Sequence, residues 1–176
     1  MNTRIKTSLL GGAALIALCS FSMIAAAKFS KAGGATAGFH ATGPGGLGID
    51  GSTSDVEVAD DGSTVTITVQ LGSLKTGMDI RDKHTKEDLE ADKFGTAQLK
   101  VPRASIKASG EGDAKGTFVI HGQSKETTFH YKTDGSNAKG TAKINVKDFG
   151  VKPRSYLGVS IKDEVEVFAN IPFKDG

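Results

Sequence analysis

The sequence predicts an all-β domain with one short helix behind a cleaved leader. Three observations carry this reading: apolar residues alternate with period two along most of the chain, turn-forming clusters separate the alternating runs, and one charged segment breaks the rule. The 176 residues suffice for one domain of ordinary size. With 38% hydrophobic and 24% charged residues, neither a disordered chain nor a membrane bundle fits. The single cysteine excludes an intrachain disulfide scaffold, and it cannot by itself build a zinc or iron–sulfur site.

Arg4 and Lys6, an apolar stretch from Leu9 to Ile24, and Ala25-Ala26-Ala27 follow the order of a secretory signal peptide. The run is shorter than a membrane span and is interrupted by Ser20 and Ser22, so the expected segment is 1–27, cut after Ala27. A lipoprotein anchor through Cys19 fits poorly, because Leu18 stands where a small residue belongs. Arg4 and Lys6 leave with the leader and no acid does, so the 22 basic residues fall to 20 against 20 acidic ones. A neutral domain without a basic stripe lacks the electrostatic footprint that nucleic acid requires.

Along the body, Thr64 to Leu71 places Val65, Ile67, Val69 and Leu71 on one face and Thr64, Thr66, Thr68 and Gln70 on the other. That is a half-buried strand of mostly β-branched residues. The pattern recurs in Val56/Val58, Leu99/Val101, Phe118/Ile120, Phe129/Tyr131, Ala142/Ile144/Val146 and from Val165 to Phe173. Asp60–Ser63, Gly110–Asp113, Gly122–Lys125 and Asp134–Asn137 read as turns, and short connections imply antiparallel neighbours. A four-residue loop at Gly122–Lys125 would pair His121 with Glu126 and Phe118 with Phe129, keeping the apolar residues of both strands on one face.

Asp79 to Phe94 carries dense charge with Ile80, Leu89 and Phe94 as its apolar anchors, and Thr85 with Asp88 resembles a capping box. A short solvated helix is expected there. Gly43 to Gly48 is a loop without the strand-then-helix context of a phosphate site. About eight antiparallel strands make either a closed barrel or a sandwich, and periodicity does not choose between them.

The chemistry on offer is sparse. By the expected register His121 and His130 lie about 13 Å apart, too far to share a metal. His40 and His84 read as solvated histidines. No G-x-S-x-G elbow and no cysteine beyond the leader supply a nucleophile. Arg81, Asp82 and His84 beside Ser73–Gly77 form either an ion-paired helix start or a polar site at a barrel mouth.

Gly38-Phe39-His40, Ser73-Leu74-Lys75-Thr76-Gly77, Arg81-Asp82-Lys83-His84, Lys93-Phe94-Gly95-Thr96-Ala97, Ile120-His121-Gly122-Gln123-Ser124-Lys125 and Asp148-Phe149-Gly150-Val151 occur in one order across the chain. In these stretches it resembles the YceI-like family, the polyisoprenoid-binding, lipocalin-like proteins of bacterial envelopes. Thr85, Gly95, Glu126 and Val146 stand where that family usually has leucine, proline, proline and arginine. The resemblance implies an eight-stranded antiparallel lipocalin-like barrel with a short helix, enclosing an apolar tunnel. It implies an isoprenoid lipid or a quinone tail as partner and no other cofactor.

On that footing the tunnel is expected to be lined by Phe39, Val69, Leu71, Leu99, Phe118 and Ile120, and by Phe129, Tyr131, Ile144, Phe149, Val165 and Val167. Arg81 and His84 are the candidates for holding a polar head group at the mouth, and a buried Tyr131 hydroxyl would need a partner. The functional expectation is a non-catalytic periplasmic carrier of isoprenoid lipids, with no metal and no stable membrane insertion after processing. The alternative is an envelope stress or structural module whose barrel is filled by its own side chains. An exposed strand edge offers a route to a homodimer.

Overall fold

The computed structural model describes residues 29–156 and 159–175. The expected leader lies outside the described residues. The elements are β1 (Phe29–Lys31), β2 (Thr36–Thr42), β3 (Gly48–Thr53), β4 (Val56–Asp60), β5 (Thr64–Gln70), helix α1 (Asp79–Asp88), β6 (Thr96–Pro102), β7 (Ser109–Ile120), β8 (Gln123–Asp134), β9 (Asn137–Asn145), β10 (Ser155–Tyr156), β11 (Val159–Ser160) and β12 (Glu164–Asp175). One antiparallel sheet runs β3-β2-β12-β9-β8-β7-β6-β5-β4, with β1 added to β12, and β10 and β11 form a separate hairpin.

The ten strands of this sheet reduce to eight staves. β3 and β4 are separated only by Ser54 and Asp55, and they form one bent stave that pairs first with β2 and then with β5. At the bend the Thr53 hydroxyl oxygen accepts from the Asp55 N–H at 2.9 Å, the Gln70 N–H donates to the Asp55 carbonyl at 3.1 Å, and Ser52 pairs with Lys75. These contacts draw the two sheet ends into a nearly closed barrel. The extra strand, β1, patches the lower part of the seam: it pairs with the end of β12, while Phe29 N–H donates to Asp60 Oδ2 at 2.8 Å and Lys31 Nζ donates to the Val56 carbonyl at 2.7 Å.

Two expected turns are corrected. His121 (φ 52°) and Gly122 (φ 73°) alone form the β7–β8 turn, pairing Ile120 with Gln123, Phe118 with Lys125 and Ala114 with Phe129. Two consecutive residues with positive φ match the right-handed twist of a hairpin, which a longer loop does not need. Because the shift moves the register by an even step, Phe118 and Phe129 still share the inner face. Gly110–Asp113 is not a turn but part of β7, paired with His130–Thr133.

Helix α1 begins six residues before the expected capping box, placing Thr85 mid-helix. Its N-cap is Met78, with no side-chain cap; Asp79 and Asp82 in the first turn complement the positive end of the helix dipole instead.

Candidate functional site

A barrel of eight staves is either packed solid or hollow, and the inward residues decide which. They are small on three adjoining staves: Ala37 and Ala41 on β2, Ala169 on β12, and Ala138, Gly140 and Ala142 on β9. Larger residues share these faces, with Phe39 on β2, Ile144 on β9, and Val165 and Val167 on β12. The opposite wall is bulkier, built from Val69, Leu99, Phe118, Ile120, Phe129 and Tyr131. Leu71 and Phe149 enter from 3-10 turns at the ends of their strands. Between the walls lies a cavity of about 270 Å³, near the low end of small-molecule sites.

The residues expected along the tunnel are all found on this wall. Ile49, Ile67, Leu74, Leu89, Val151 and Ile161 line it as well. Of these, Ile67 lay in the same alternating run as Val69, and Leu89 was one of the few apolar residues in the charged segment. Val146 also lines the cavity, so the position where relatives usually carry arginine is apolar here.

One end of the cavity is closed. Phe29, Val65 and Phe173 pack with Ile106 and Ala138, and the rings of Phe29 and Phe173 meet edge-on at 4.5 Å. The Arg103 guanidinium lies 4.0 Å from the Phe29 ring centre and its Nε donates to Asp60 Oδ2 at 3.2 Å. The Asp60 side chain is wholly buried in this contact.

The other end is covered by α1 and the segment after β9. The C-terminal half of α1 contributes Thr85, Asp88 and Leu89 to the lining, and Pro153, Ile161 and Lys162 face them. Arg154 joins the two: its Nε donates to Asp88 Oδ1 at 2.8 Å and its Nη2 to Glu87 Oε2 at 2.6 Å. The hydrogen bonds to Asp88 and then Glu87 raise the Arg154 pKa above its ordinary value. Phe149 is buried by the turn that ends at Gly150, whose φ of 75° lets the chain reverse there.

Arg81 and His84, expected at the mouth, are not among the lining residues. The N-terminal half of α1 is spent on the preceding loop: Arg81 Nη2 donates to the Thr76 carbonyl at 3.1 Å. Asp82, buried, accepts from the Thr76 N–H at 2.6 Å and the Thr76 hydroxyl at 2.7 Å, with Lys75 Nζ 3.2 Å away. The Thr76 N–H, then its hydroxyl, and Lys75 hold the Asp82 carboxyl below its ordinary pKa against the opposing effect of burial. Of the two open readings for this cluster, the geometry is that of an ion-paired helix start.

The histidines are dispersed. His40 Nδ1 lies 2.7 Å from Asp50, and His130 Nδ1 lies 2.9 Å from Asp113, the residue it faces across β7. His121 is largely buried: it packs on Phe94 and lies 3.2 Å from Glu90. No group of three or more His, Cys, Asp or Glu side chains is placed to hold a metal among the described residues.

Fold and cavity together define a hollow, lipocalin-like antiparallel barrel. The YceI-like domain model matches residues 24–173, and the chain belongs to that family. A UPF0312 protein of Vibrio cholerae is 29% identical over 102 residues, an alignment covering 51% of this chain and 54% of that protein. The chain thus spans about half the length of the curated relatives it matches. Among solved structures, a polyisoprenoid binding domain from Saccharophagus degradans implicated in plant cell wall breakdown superposes with a TM-score of 0.66 at 14% identity, covering 85% of this chain and 99% of that one. BcnA of Burkholderia cenocepacia gives 0.60 at 14% identity, covering 77% and 94%. At these identities the likeness is one of fold.

Proposed function

We propose that this chain is a non-catalytic binding protein for an elongated apolar ligand of the isoprenoid class, held inside the barrel. The observation that carries the reading is the cavity itself, about 270 Å³ walled almost entirely by aliphatic and aromatic side chains. A barrel filled by its own side chains would have no such space, which disfavours a module acting only through its surface. The likeness to a polyisoprenoid binding domain supports the ligand class. Each methylene-sized group moved from water into such a wall contributes about 0.8 kcal/mol before ordering costs, so several isoprene units suffice for tight binding without a charged anchor. Phe39, Phe118, Phe129 and Phe149 are the broadest contact surfaces offered to the chain of the ligand. The signal-peptide order of residues 1–27 supports a periplasmic location for this activity, in which the barrel would carry or sequester the lipid.

Native mass spectrometry of Lys28–Gly176, purified from a periplasm without detergent and followed by organic extraction, tests the reading. An excess mass identified as a prenylated lipid is expected. A bare mass, together with no uptake of added quinones or polyprenols, would overturn it.

A further inference from the structure

Tyr131 is buried, 5% exposed, on the inner face of β8. Its ring has room because its two cross-strand partners, Gly112 and Gly140, carry no side chain; a Cβ on Gly112 would touch the phenol at 3.7 Å. Below it toward the closed end stand Thr133 and Ile106, which also line the cavity. The Thr133 hydroxyl is satisfied, its one proton directed to the Lys107 carbonyl at 2.9 Å with the Gly110 carbonyl also within reach at 3.2 Å. The Tyr131 hydroxyl is only half satisfied. Its oxygen accepts the Lys107 N–H at 3.4 Å, while its own proton is donated to no protein atom among the described residues.

A buried O–H without an acceptor is costly, and the wall around this one is apolar. The charged residues that line the cavity are Asp88, Lys139 and Lys162, of which Asp88 is tied to Arg154 at the far end and the two lysines are exposed. One phenol proton and no buried cation among the lining residues suit a neutral acceptor better than a phosphate or carboxylate, which would arrive without a buried counter-charge. We infer that the ligand enters head first, with a neutral oxygen acceptor such as a ketone or quinone carbonyl bonded to the Tyr131 hydroxyl near the closed end and its hydrocarbon tail directed toward α1. This inference rests on the proposed binding of an apolar ligand in the cavity, and it reverses the orientation that a head-group site at Arg81 and His84 would impose.

The test compares two probes of similar apolar length, the ketone farnesylacetone and the hydrocarbon farnesene, on the wild-type protein and on Tyr131→Phe. One neutral hydrogen bond predicts an affinity advantage of about two- to tenfold for the ketone over farnesene on the wild type, and the ratio of the two affinities loses that advantage in the variant. The infrared carbonyl band of bound farnesylacetone supplies a second reading that does not depend on the variant folding well. It should lie below its position in hydrocarbon solvent, as for a hydrogen-bonded ketone, and return to that position in Tyr131→Phe. A carbonyl band at the hydrocarbon position in the wild type, or a ketone advantage that survives the substitution, overturns the orientation but leaves cavity binding intact. If neither probe binds the wild type, both readings fall.

Discussion

The two ends of the barrel are built differently. The closed end is apolar and interlocked: Phe29, Phe173 and Val65 are buried, and the Arg103–Asp60 ion pair there is shielded by the Phe29 ring. The covered end adds surface polar contacts, Arg154 to Glu87 and Asp88, to the buried Phe149 and Val151, and its helix carries Ile80 and the N-cap Met78, which are among the large apolar side chains left exposed in the described residues. Hydrophobic packing is paid for once, on folding, and opens only with the fold, whereas exposed ion pairs are individually weak and exchange readily with water. This contrast predicts that stability is concentrated at the closed end and, on the proposed binding function, that freedom lies at the end through which a ligand would pass.

Substitutions at each end sharpen this contrast. Phe173→Ala removes a ring from the closed end and should cost about 3–5 kcal/mol, measured by urea denaturation. A loss below about 1 kcal/mol would show that the plug is not the stable half. Asp82→Asn probes the loop that docks α1. Because the Asp82 carboxyl titrates below its ordinary value when folded, its stabilisation is fully present above the unfolded pKa of about 3.9 and fades as the pH falls through the lower folded value. The variant should therefore be less stable than the wild type at neutral pH, and the gap should close below about pH 4. A gap independent of pH would remove the charge from the explanation. Arg154→Gln should have the smallest effect on stability, leaving the melting temperature almost unchanged, yet it should speed release of a bound apolar probe measured by stopped-flow displacement. An unchanged release rate would mean that this ion pair does not hold the covered end.

Much of this was legible in the sequence because alternation reports burial directly. The strands from Val56 to Ile171 and their inward residues follow from period two, and so do the positions on the wall. The hairpin turn was missed because His121 carries no turn signature; a histidine at φ 52° is held there by its packing on Phe94 and the nearby Glu90. The segment that forms α1 was legible from Asp79 onward, but the capping signal at Thr85 misled, because the helix starts behind Met78, which offers no capping side chain. The hollow of the barrel was legible only in part, since Ala37, Gly140, Ala142 and Ala169 read as unremarkable strand residues until β2, β12 and β9 are seen to adjoin. Arg81 and His84 lie outside the cavity lining, and the motif alone did not reveal that Arg81 and Asp82 fasten the helix to its own preceding loop.

The pairing of Phe29 with residue 175 puts both ends of the described domain side by side at the plug. Whatever is joined to either end, whether a tether, a label or a solid support, would emerge there. A molecule fixed by its ends would present α1 and the entrance outward, and the barrel could be displayed on a surface without covering the opening.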